Sequence, residues 1–129
     1  MQTVSTLFTA FIVTIVSFLV LDTIYFSLIY TYMKETIEKL QRKPLAIRYS
    51  SALVCYLAMT ALLVYFIVIK KHTIREAFFL GFLVYLIYET TNYAILRDWP
   101  ISLVFIDSLW GGILFMLVAM INKIFVSSI

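Results

Sequence analysis

Four apolar stretches, each long enough to cross a bilayer as a helix, set what this chain can fold into: residues 4–33, 49–69, 77–96 and 101–122. An α-helix rises about 1.5 Å per residue, so about 20 apolar residues span a hydrocarbon layer about 30 Å thick. In a chain of 129 residues the four spans leave only short turns, and no second domain fits. With 64% of residues hydrophobic and 13% charged, a soluble domain of this size would have too much surface to hide its apolar content. The expected fold is therefore all-α: an integral membrane four-helix bundle, up-down-up-down, with residues 1–129 forming one transmembrane domain.

The first span is longer than a bilayer requires, so helix one should tilt or extend beyond the membrane. Its continuation, residues 34–43, alternates in charge, with Glu35 and Lys39 at the favourable i,i+4 spacing and Pro44 as a stop. The apolar run at the start is too long for a signal peptide and lacks a preceding basic residue, which reads as a retained first helix. Cys55 sits alone in an apolar run, giving neither a disulfide framework nor metal-ligand spacing, and reads as packing. The second span carries no charge and reads as a packing wall. A basic turn, residues 70–76, places His72 in solvent. The Arg97-Asp98-Trp99-Pro100 turn is tight enough to make helices three and four antiparallel neighbours, with Trp99 as an interfacial anchor.

The formal charge of +3 is spread between the spans, as expected of loops at lipid headgroups, and gives nucleic-acid binding no support. Loops one and three share a side and carry Lys34, Lys39, Arg42, Lys43, Arg48 and Arg97; the other side carries Lys70, Lys71, Arg75 and Lys123. Six against four places both termini on the non-cytoplasmic side of a multi-pass protein.

Asp22, Glu89 and Asp107 each interrupt an apolar helix. A charged side chain near the bilayer centre costs at least about 2.5–3.5 kcal/mol on insertion scales, so such residues face inward and point to function. Each lies about 4–7 Å from its helix midpoint at the helical rise, and all three fall in the membrane half nearest loops one and three. Their helix faces add Tyr85, Tyr88, Asn92 and Leu96 around Glu89, Tyr25 near Asp22, and Trp110 near Asp107. The segments Asp22-Thr23-Ile24-Tyr25 and Asp107-Ser108-Leu109-Trp110 read alike: acid, hydroxyl, apolar, aromatic. Gly111-Gly112 would admit a close approach by another helix backbone or a ligand.

No Lys, Arg or His lies inside a span, which leaves Arg97, reaching inward from the third loop, as the nearest basic partner. The acids would therefore be protonated, share protons with one another and with tyrosines, or surround a cation. The site expected from these residues comprises Asp22, Tyr25, Tyr88, Glu89, Asn92, Asp107 and Trp110. Carboxylate and amide oxygens suit a hard cation, monovalent or divalent, with Asp22, Glu89 and Asp107 as the candidate metal ligands. The same oxygens suit a proton or a cationic solute. The alternative is structural, with protonated acids hydrogen-bonded across helices to hold the bundle together.

The run Tyr85-Leu86-Ile87-Tyr88-Glu89-Thr90-Thr91-Asn92-Tyr93-Ala94-Ile95-Leu96-Arg97-Asp98-Trp99-Pro100, followed by Asp107-Ser108-Leu109-Trp110-Gly111, resembles the family known as domain of unknown function 2177. The resemblance implies a small four-helix membrane protein of a family found in bacteria and some large DNA viruses. It also implies an Asp near the end of helix one followed three residues later by an aromatic, places taken here by Asp22 and Tyr25. Two positions depart from the pattern: Glu89 stands where the family has Asp, and Tyr25 where the aromatic is usually Trp. The resemblance implies no reaction.

Three function classes follow. The first is a binding or transport module whose acidic pocket takes a cation, proton or cationic solute. The second is a structural or assembly protein, such as a virion membrane component or a small subunit, meeting membrane-protein partners or copies of itself within the bilayer. The third is a lipid-modifying enzyme, disfavoured because the sequence has no nucleophile–base motif or His-metal cluster. Membrane lipid is a partner in every case.

Overall fold

The computed structural model describes residues 4–126. Helix α1 covers Val4–Gln41 and α2 covers Tyr49–Leu63, continuing as a π-helical segment over Val64–Ile69. Helix α3 covers Ile74–Ile95 and α4 Ile101–Phe125. All four are long and apolar enough to cross a membrane, and the described residues contain no strand.

Helix α1, with 38 residues, is about 57 Å long at the helical rise, well beyond the hydrocarbon thickness. The excess falls in its charged last turns. It ends at Gln41, two residues short of the expected extension, because the residue before Pro44 is disfavoured in the α region. Arg42 turns the chain with a left-handed φ of 57°. Gln41 Nε2 then donates to the carbonyls of Lys43 and Pro44, and Leu45 N donates to Glu38 Oε2 at 2.6 Å, folding loop one back onto the helix end.

Helix α3 starts a turn earlier than its apolar run because Thr73 and Glu76 form a capping box. Thr73 Oγ1 accepts from Glu76 N, and Glu76 Oε2 accepts from Thr73 N. Helix α4 runs past Lys123, whose exposed side chain lies in the last turn.

Helix α4 is the hub: half of its apolar window (50%) is buried, against 11% for α3. On one side it crosses α3 at a glycine contact. A Cβ added to Gly81 would lie 2.2 Å from the Gly111 carbonyl oxygen, and one on Gly111 2.3 Å from the Tyr85 ring. Gly111 thus admits a helix backbone, one of the two uses expected of it. On the other side α4 packs antiparallel to α1, tied at three heights. Asn122 donates to Thr14 at 2.8 Å, Trp110 to Asp22, and Tyr32 and Ser102 share a hydrogen bond of 2.6 Å. Phe18, Leu63, Leu114, Phe115 and Val118 fill the space between α1, α2 and α4, with the Phe18 and Phe115 rings 5.1 Å apart. Large apolar side chains such as Phe8, Leu28, Ile87 and Phe105 point outward, the arrangement lipid permits.

Candidate functional site

Asp22 and Tyr25 lie one turn apart on α1, and Asp107 and Trp110 one turn apart on α4. Because the helices run antiparallel, the two Asp-x-x-aromatic segments meet head to tail. Trp110 Nε1 donates to Asp22 Oδ1 at 3.0 Å, and Tyr25 Oη donates to Asp107 Oδ1. The Tyr25 ring stacks on the Trp110 indole, centroids 4.6 Å apart and planes 5° from parallel. Each helix therefore supplies the donor for the other's acid, and the two donors pack face to face. The second Asp22 oxygen accepts from Tyr56 Oη on α2.

Glu89 is the most enclosed of the acids, 1% exposed, on the face of α3 turned toward α4. Its Oε1 accepts from Trp99 Nε1 at 2.8 Å. Its Oε2 is buried and has no donor, and the carboxyl that interacts with it is that of Asp107. Two carboxylates have no hydrogen to share, so a bond between them exists only when one carries a proton. That proton would also satisfy the orphan Oε2. The donors named here, Tyr25, Tyr56, Trp99 and Trp110, are all neutral, so they spread negative charge without cancelling it.

The seven expected residues do not all meet. Asp22, Tyr25, Asp107 and Trp110 form one network, with Glu89 against Asp107. Tyr88 points outward, 62% exposed. Asn92 is half-buried and makes no side-chain hydrogen bond to a described residue. Among the described residues no group of three or more His, Cys, Asp or Glu is placed to hold a metal ion, and four oxygens of Asp22, Glu89 and Asp107 accept from separate aromatic donors. Two other expectations are corrected. Arg97 is exposed and forms no ion pair with them; the ion pair found among the described residues is His72–Glu76, in the exposed turn before α3. Trp99 is not an interfacial anchor but a buried donor to Glu89, 7% exposed.

Two members of the network were not foreseen as such. Tyr56 makes α2 a participant and not merely a wall. Its signal was absent, since α2 is apolar all round and no polar stripe marks an inner face. Trp99 did carry a signal, because it closes the same motif that contains Glu89. One cavity is lined by residues of the π-helical segment, the turn before α3 and the end of α4, and another by α3 and the π-helical segment; the three acids line neither.

The family described as predicted membrane protein DUF2177 matches residues 7–124. No curated protein and no solved structure matches the chain. The match takes in all four membrane-crossing helices and every residue of the acid–aromatic network, and on that extent the chain belongs to the DUF2177 family of membrane proteins.

Proposed function

We propose that this membrane protein binds a proton within the bilayer, held between Glu89 and Asp107 and stabilised by the surrounding aromatic donors. The observation that carries the reading is the enclosed Glu89, with one oxygen bonded to Trp99 and the other without a donor beside the Asp107 carboxyl. Two neighbouring carboxylates in a low dielectric cannot both ionise cheaply, and one shared proton removes both the repulsion and the unsatisfied oxygen. A proton is favoured over a larger cation because both Asp22 oxygens and one oxygen each of Glu89 and Asp107 already accept from separate donors, which leaves one oxygen on each of the latter two acids to share it. Loss of the proton would put a second charge next to the Tyr25–Asp107 bond that ties α1 to α4, so protonation would be coupled to helix packing.

The test is infrared spectroscopy of the protein in lipid at neutral pH. A carboxylic-acid carbonyl band is expected in the wild type and should vanish in both Glu89→Gln and Asp107→Asn. A wild-type spectrum with no band that either substitution removes would overturn the reading.

A second reading has its own support. Tyr56–Asp22, Trp110–Asp22 and Tyr25–Asp107 each join two helices, as a protein whose role is assembly would require. On that reading Asp22→Asn with Asp107→Asn would weaken the bundle yet leave every activity intact, while changes on an outward stripe such as Leu28 or Ile87 would abolish association with a membrane partner or a second copy.

On the distribution of loop charges, both termini would lie on the non-cytoplasmic side. An impermeant thiol reagent added to intact cells should then label Lys71→Cys but not Lys39→Cys; the reverse pattern would invert the topology.

A further inference from the structure

The end of the bundle away from the acids contains a different kind of site. A cavity of about 230 Å³ opens where the π-helical segment, the turn before α3 and the last turns of α4 meet. Its polar lining comes from Lys71, His72, Thr73, Asn122 and Lys123. Three of these carry basic groups. Lys71 and Lys123 are exposed and have no ion pair among the described residues, whereas neighbouring Lys70 sits over the Tyr65 ring. His72 is held by Glu76, whose carboxylate also accepts from Thr73 N, so the acid beside the cavity is already engaged. The same capping box occupies the first turn of α3.

Asn122, 2% exposed, is the buried polar residue of the lining. Its Nδ2 donates to Thr14 Oγ1 at 2.8 Å and to the Val118 carbonyl at 3.0 Å, which orients the amide. Its Oδ1 is left buried with no donor. A buried amide oxygen without a donor costs free energy unless something supplies one. Two unpaired ammonium groups thus lie among the lining residues, next to a buried amide whose oxygen has no donor. Its occupant should carry an anion and a hydrogen-bond donor a few bonds apart.

We propose that this cavity binds a phosphoglycerol group, with the phosphate against Lys71 and Lys123 and a glycerol hydroxyl donating to Asn122 Oδ1. The cavity lies at the ends of the membrane-crossing helices and is smaller than the roughly 300–1,000 Å³ of pockets that enclose drug-sized ligands. It suits a headgroup whose acyl chains stay outside, along exposed apolar side chains such as Phe125. A zwitterionic headgroup would return part of its charge to the lysines as repulsion, which favours the anionic one. The same group occurs in an anionic phospholipid and in soluble glycerol phosphate.

The test uses the full chain in detergent, with lipid retention followed by native mass spectrometry. Phosphatidylglycerol should be retained about tenfold more strongly than phosphatidylcholine of the same chains, with two lysines contributing. It should also exceed phosphatidylmethanol, which has the same charge but no hydroxyl. Lys71→Gln with Lys123→Gln should remove the preference, whereas Lys34→Gln with Lys39→Gln, the same charge change at the other end of the molecule, should not. Displacement by millimolar glycerol phosphate would support the soluble source, and its failure to compete the lipid source. Equal retention of phosphatidylglycerol and phosphatidylcholine by the wild type would overturn the proposal, as would equal losses in the two double variants. None of these outcomes depends on the Glu89–Asp107 proton.

Discussion

Single side chains separate the roles of the three acids. Glu89 has one aromatic donor and one acidic neighbour, so an amide of the same shape can accept from Trp99 and donate to Asp107. Glu89→Gln should therefore keep stability within about 1 kcal/mol of wild type, while Glu89→Ala leaves the Trp99 N–H unpaired and should cost about 1–3 kcal/mol. Unfolding in mixed micelles by a denaturing detergent measures both. Equal losses would mean that the site requires the carboxyl itself and that a hydrogen-bonding side chain of the same shape cannot replace it. That Glu89 would face inward was legible from the cost of a charge in lipid. The outward turn of Tyr88 was not, although helix geometry explains it. One residue along a helix is a rotation of about 100°, whereas Tyr85, four residues away, is displaced by only about 40°. A stripe drawn from i,i+3,i+4 spacing is wide enough to include both, and burial then selects Tyr85, whose ring packs on Gly111. Trp99 shows the opposite problem. A Trp beside a Pro in a five-residue turn looks like an interface residue until the turn bends back and sends the indole to Glu89.

Between elements, the informative feature is the reciprocal pairing of α1 and α4. The likeness of Asp22-x-x-Tyr25 and Asp107-x-x-Trp110 was visible in the sequence, but the crossing of their bonds was not, because it depends on the antiparallel register. Interhelical hydrogen bonds in membranes average about 0.6 kcal/mol and reach about 1.7. A double-mutant cycle of Asp22→Asn with Tyr56→Phe should give a coupling in that range, and so should Asp107→Asn with Tyr25→Phe. Pairing Tyr56→Phe with Tyr25→Phe should give little coupling, since their acceptors are different carboxyls. Couplings near zero in the first two cycles would reduce the network to coincidental proximity. The α3–α4 crossing makes a sharper demand. With Gly81 backed onto the Gly111 carbonyl, Gly81→Ala must push the helices apart and should cost at least about 1–3 kcal/mol by overpacking. Gly111–Gly112 advertised a close approach, whereas Gly81, alone in an apolar run, did not. The silence of α2 has the same origin, because an evenly apolar helix has no periodicity from which to infer that Tyr56 faces Asp22.

At the scale of the molecule, the two ends of the bundle carry opposite chemistry. The half near loops one and three encloses acids among aromatic donors, while the end near loop two gathers basic side chains around a small cavity. The four spans and their order were legible because lipid imposes length and apolarity on any crossing helix. The central place of α4 was not, since its mean hydropathy of 2.1 falls between the 2.4 of α1 and the 1.2 of α3 and only packing distinguishes hub from rim. On the proposed function, protonation and packing would meet at Asp107, which lies on the hub helix and is bonded to Tyr25. The claim that unites the account is that one proton resides on the Glu89–Asp107 pair within the membrane. The most direct measurement is solid-state NMR of the protein in lipid at neutral pH, with the carboxyl carbons of Asp and Glu labelled and the pair assigned by loss of signal in Glu89→Gln and Asp107→Asn. The account predicts a carboxylic-acid or proton-shared signal from the pair, with each partner's signal moving when the other is replaced. Two independent carboxylate signals, neither responding to the other's substitution, would contradict it.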